Sequence, residues 1–146
     1  MPELPFLEAA RDWKAKADGD LRSAQTLLDL DPPETDAVAF HCQQAAEKYL
    51  KALLVAVGVE PPRTHDLGVL RELASDKFPE IANLQEPCEY LTPFAVQTRY
   101  PLFEPPITAK DASKALSKSE EICELIQRLV FRSSDVPTVS ESETEG

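Results

Sequence analysis

The sequence predicts an all-α protein, an up-and-down bundle of three long helices with one or two short ones between the second and the last. Three observations carry that expectation. Apolar residues recur at spacings of three and four from Trp13 to Val130, the period of a helix face. No segment alternates apolar and polar residues for long enough to make a strand. Prolines gather between the periodic stretches, at Pro32-Pro33, Pro61-Pro62, Pro101 and Pro105-Pro106, where they interrupt helices.

The first helix is marked by Trp13, Ala17, Leu21, Ala24 and Leu28 and ends near Leu30, because Asp31-Pro32-Pro33 cannot continue it. A second helix starts at Thr35 or Asp36, either of which suits an N-cap, and stops at Gly58. The two form an antiparallel hairpin. After Pro61-Pro62, Thr64 is the expected N-cap of a short helix with Leu67, Leu70 and Leu73 inward. Ile81, Leu84, Cys88, Leu91 and Ala95 continue at helical spacing, with Pro87 at a helix start or a bend. Residues 99–106 carry three prolines and must be a loop. Thr108 and Asp111 form a capping box for a last long helix that turns Ala112, Leu116, Ile122, Cys123, Ile126, Leu129 and Val130 inward.

A chain of 146 residues favours one domain, and 42% hydrophobic with 28% charged residues is the balance of an ordinary globular protein. Residues 1–132 are assigned to the bundle. Residues 133–146, SDVPTVSESETEG after Ser133, are acidic and poor in large apolar groups, and are expected to be a disordered tail. The longest uninterrupted apolar run, Ala52 to Val57, falls far short of the roughly 20 residues of a membrane span. MPELPFLEAARDWK has neither the basic nor the apolar region of a signal peptide, so a cytoplasmic location is expected. Cys42, Cys88 and Cys123 are widely spaced and fit buried thiols better than a disulfide framework or zinc knuckle. With His41 and His65 the only histidines, no metal site is expected. A net charge of −11 disfavours a general nucleic-acid binder.

Chemistry concentrates in FHCQQAAEKYLKALL, Phe40 to Leu54. At about 100° per residue, Ala39, Cys42, Ala46, Tyr49, Leu50, Leu53 and Val57 share one broad arc, the core face. His41, Gln44, Lys48 and Lys51 make a polar stripe opposite, with Phe40 exposed among them. Such a stripe serves as a solvated face or as a ligand surface, and spacing alone does not choose. Gln43 projects to the apolar side, where an unpaired amide would cost about 1–3 kcal/mol, so it requires a partner such as a backbone group or Glu47.

The run F-H-x-Q-Q-A-x-E-K-x-L-K-A-L-L at Phe40 to Leu54, T-H-D-L at Thr64 to Leu67 and T-R-Y-P at Thr98 to Pro101 resemble the HEPN family (higher eukaryotes and prokaryotes nucleotide-binding). Trp13, Lys16, Ala17, Asp20, Leu21 and Ala24 of the first helix fit the same pattern, so the likeness spans about residues 10 to 130. It implies a HEPN-like bundle of four or five helices, a homodimer, and a gene often paired with a small nucleotidyltransferase in a toxin–antitoxin-like module. Many members are metal-independent ribonucleases that use an Arg followed after four to six residues by a His. Here the positions at that distance before His41 hold Glu34, Thr35 and Asp36, and those before His65 hold Gly58, Val59 and Glu60. The nuclease motif is absent.

The leading expectation is therefore an interaction module without catalysis, binding a nucleotide or a minimal nucleotidyltransferase partner. Its ligand would meet His41, Gln44, Lys48, Lys51 and the Arg99-Tyr100 loop. Arg offers a planar fork for phosphate and Tyr a stacking ring; alternatively Arg99 pairs with Glu47 and ties its loop to the second helix. No resident cofactor is implied. The rival reading is a ribonuclease toxin with the set His41, His65 and Arg99, acting on RNA; a third is a purely structural homo-oligomer. His65, beside the short helix, either fixes its turn by donating to a carbonyl, or contacts ligand or transfers a proton.

Overall fold

The computed structural model describes residues 3–96 and 104–131. Arg99, Tyr100 and the expected tail from 133 lie outside the described residues.

Five α-helices are present, α1 (Leu7–Leu28), α2 (Thr35–Ala56), α3 (Leu67–Ala74), α4 (Gln85–Leu91) and α5 (Ala109–Ile126), and no strand occurs among the described residues. Short 3-10 segments, Pro79–Leu84 and Thr92–Ala95, flank α4, and a π-turn at Gln127–Phe131 extends α5. The all-α bundle expected from the sequence is the observed architecture.

The axis of the bundle is α2. Of its 22 residues 13 are buried, including Val38, Ala45, Leu54 and Ala56 beyond the expected arc, while Val57 stays half-buried past its end. It is a core rod and not a surface helix with one apolar face. Against it, α1 buries Ala10, Ala17 and Ala24, a stripe spaced seven residues apart whose small side chains let the two backbones approach. The hairpin is antiparallel along its whole length: the Glu34 N–H donates to the Leu27 carbonyl at 3.2 Å at one end, and the Phe6 N–H to that of Ala56 at 3.4 Å at the other. Gly58 closes α2 with φ +85, the left-handed region. A Cβ there would lie 3.3 Å from the Phe6 ring.

On a further side of α2, Ser119 of α5 is buried and its Oγ donates to the Cys42 carbonyl at 2.7 Å. Tyr90 of α4 donates to the Asp111 carbonyl at 3.3 Å, and Lys114 lies 4.8 Å over the Tyr90 ring. All three cysteines are buried thiols; burial pushes Cys42 and Cys88 up to about 12.

Four local expectations need correction. The first helix ends at Leu28, two residues before the expected stop. Glu34, not Thr35 or Asp36, precedes the first turn of α2, with no side-chain cap. The cap of α3 is Asp66, whose carboxylate accepts from the Gly68 and Val69 N–H groups at 2.9 and 3.4 Å; Thr64 instead accepts from the Asp66 N–H, shaping the turn before it. Leu73 is 47% exposed, because α3 turns Leu67, Leu70 and Ala74 inward and Leu73 falls about 100° from Ala74 around the helix.

Candidate functional site

The polar stripe of α2 is not a free wet face, because two carboxylates claim it. Asp20 of α1 lies opposite the first half of α2, one turn beyond Lys16. Its Oδ1 is 2.8 Å from His41 Nδ1 and its Oδ2 is 2.7 Å from Lys48 Nζ. His41 and Lys48 are seven residues apart, which on a helix returns to nearly the same angle, so both reach one carboxylate. With an ammonium on one oxygen, the carboxylate accepts on the other, and His41 Nδ1 donates.

Asp20, His41 and Lys48 stand on the wall of an open groove of about 840 Å³, which Lys16, Arg22, Ser23 and Thr26 of α1 also line. That volume is within the range of roughly 300–1,000 Å³ typical of small-molecule sites. Lys16 and Arg22 are exposed and make no hydrogen bond or ion pair among the described residues. Three cations, one imidazole and two hydroxyls thus face a single carboxylate in this groove. A phosphate group matches such a surface, since guanidinium and ammonium donate strong charge-assisted bonds to its oxygens.

The second carboxylate is Glu47, whose side chain is only 6% exposed. Lys51 Nζ lies 2.9 Å from Oε2, His65 Nδ1 2.9 Å from Oε1, and Gln43 Nε2 donates to Oε1 at 3.3 Å. Burial alone would push the Glu47 carboxyl up, yet the hydrogen bonds from Lys51 and His65, the Lys51 charge and the Gln43 amide together hold it below its ordinary value. Gln43 also donates to the His65 carbonyl at 2.9 Å, and its own Oε1 accepts from Gln44 Nε2 at 2.8 Å. The amide expected to need a partner has three. Lys51 Nζ sits 5.6 Å above the Trp13 ring, a cation–π contact.

The structure divides the predicted ligand set accordingly. His41 and Lys48 enter the groove with Asp20, whereas Gln44 and Lys51 belong to the Glu47 cluster. Phe40 is half-buried, not exposed, and meets the His41 ring edge-to-face at 5.6 Å between centroids. His65 donates to a carboxylate, not to the carbonyl expected. His41 and Glu47 are about 9 Å apart along the α2 axis and roughly 120° apart around it by ideal helix geometry, so the two histidines are held by separate clusters. Arg99, its expected pairing with Glu47, and Tyr100 fall outside the described residues. Sequence reasoning missed Asp20, Lys16, Arg22, Ser23 and Thr26 as groove residues. The signal was partial: Lys16 and Asp20 sit in the first-helix pattern, and the Glu47–Lys51 spacing of four is the usual one for a helical ion pair.

Among the described residues no group of three or more His, Cys, Asp or Glu side chains forms a metal site. No described helix is long and apolar enough to cross a membrane.

A family model described as the HEPN domain matches residues 10–129. Among solved structures, the crystal structure of TT1696 from Thermus thermophilus is similar, with a TM-score of 0.67 and 29% identity over 82% of this chain and 96% of that one. No curated protein matches the chain.

Proposed function

The chain belongs to the HEPN domain family, and on that premise we propose that it is a binding module whose α1–α2 groove takes the phosphates of a nucleotide. The observation that carries this reading is the pair of exposed cations Lys16 and Arg22, without partners among the described residues, beside Lys48 and His41 in a groove of ligand size, on a chain whose net charge is −11. Ser23 and Thr26 supply neutral donors to the same oxygens, and Asp20 fixes how His41 and Lys48 present themselves. The ligand is either a free nucleotide or the bound nucleotide of a small nucleotidyltransferase partner in a two-gene module, with the chain acting as a homodimer.

Titration of the purified protein with ATP and AMP, followed by calorimetry, tests it. Lys16→Ala and Arg22→Ala should each weaken binding by about tenfold, the loss of one charge-assisted bond. Absence of heat with either nucleotide, together with no capture of a nucleotidyltransferase, sinks the reading.

One observation favours a second reading. Asp20 orients His41 beside three cations, which is also the equipment for moving a proton at a phosphodiester and stabilising its charge. Incubation with total tRNA distinguishes the two: a ribonuclease of this design cleaves, and His41→Ala abolishes cleavage.

A further inference from the structure

We propose that His65 is a phosphoryl-acceptor site, its Nε2 taking a phosphoryl group from a small activated donor of the acyl phosphate or phosphoramidate class while buried Glu47 holds the ring from behind. This site is separate from the α1–α2 groove and does not depend on it.

His65 combines exposure with restraint. The His65 side chain is 69% exposed, yet its Nδ1 is held at 2.9 Å by Glu47, which is 6% exposed. Its carbonyl is held as well, by the amide of Gln43, a side chain with no exposure at all. Tying the loop to α2 would need only the second of these bonds.

The first bond sets the chemistry of the ring. Lys51 occupies Oε2 of Glu47 and Gln43 donates to Oε1, so the carboxylate is ionised and can only accept. The opposing groups lower the Glu47 carboxyl against the effect of its burial, which agrees with that state. Nδ1 of His65 therefore donates to Glu47, and in the neutral ring the lone pair is on Nε2, in a side chain that is 69% exposed. A neutral imidazole of fixed tautomer is a nucleophile.

The transfer balances without any further reactant. The Nε2 lone pair forms a bond to phosphorus while the P–O bond of an acyl phosphate, or the P–N bond of phosphoramidate, breaks and its electron pair leaves with carboxylate or ammonia. The ring becomes an imidazolium that still keeps its proton on Nδ1, so no proton has to move. The positive charge develops next to the Glu47 carboxylate, which stabilises it more in the transition state than in the neutral reactant.

The experiment treats the native full-length protein with potassium phosphoramidate and, separately, with acetyl phosphate. It reads intact mass and maps any acid-labile phosphoryl group. One such group on His65, at Nε2, is expected, absent in His65→Asn and formed about tenfold more slowly in Glu47→Gln, as is usual when a group orienting a histidine is lost. Two readings on the wild-type chain keep the test independent of how that variant folds. Long-range proton–nitrogen spectra should show the Nδ1–H tautomer for His65, and native His65 should react faster than the same residue in urea. Modification at Nδ1 or at His41 in place of His65, an Nε2–H tautomer, or a native rate no greater than the rate in urea would overturn the proposal.

Discussion

Glu47 is the residue on which the polar side of the molecule depends. Its carboxyl sits below its ordinary value of 4.5 in the folded protein because Lys51 and His65 outweigh its burial. A carboxyl lowered on folding stabilises the folded state at neutral pH. That contribution is intact above about 4.5 and is lost as acid carries the solution through the lower folded value. Glu47→Gln leaves the Lys51 ammonium, 12% exposed, without its counter-charge. It should lower stability by about 3 kcal/mol, the typical effect of removing one partner of a buried ion pair. Urea denaturation at several pH values checks both statements, since the variant should also lose the steepening below pH 4.5. Part of this was legible in the sequence: the Gln43 amide pointed at the core and asked for a partner such as Glu47. The part played by His65 was not, because it is 18 positions away in the chain and meets Glu47 only through the fold.

At the level of elements, periodicity located every helix and caps located their ends less well. The capping box of α5 was readable, with Thr108 and Asp111 each satisfying the other's backbone N–H. The cap of α3 was misplaced by two residues because Thr64 and Asp66 both have cap-forming side chains, and only the turn between them decides. Asp66 has the two helix N–H groups, and the Leu67 N–H goes to the Thr92 hydroxyl at 3.1 Å. Asp66→Ala should therefore cost about 1 kcal/mol by loss of the cap. Thr64→Ala should cost less, since it removes only a turn bond at an exposed site. Thermal melts of the two variants, compared side by side, separate the assignments, and the reverse order would restore Thr64 as the cap. The breadth of the buried side of α2, 13 of its 22 residues, was the least readable feature of the elements. A helix that reads as amphipathic can be a core rod when neighbours supply carboxylates to its polar residues, as Asp20 does here.

For the whole molecule, the composition sets a charge and the fold gives it a distribution. A chain at −11 repels a nucleotide at a distance, while the proposed site would attract one at contact through Lys16, Arg22 and Lys48. Salt should separate these effects. Between about 0.01 and 0.1 M the Debye length falls from roughly 30 to 10 Å, which screens the distant repulsion more than bonds inside the groove. The association rate of ATP, followed by stopped-flow fluorescence, should rise over that interval and the dissociation rate should change less. A falling association rate would mean that the cationic groove dominates at long range. The bundle was legible because helix period is a local property; the groove was not, because its two exposed cations come from α1 and its histidine from α2. Gly58 shows how closely those two helices are coupled. Its left-handed backbone lies under the Phe6 ring, and the Phe6 N–H reaches the last carbonyl of α2. The chain's way into the bundle and its way out of the central rod thus meet at one pivot, where the start of α1 and the end of α2 share a backbone bond and a ring contact.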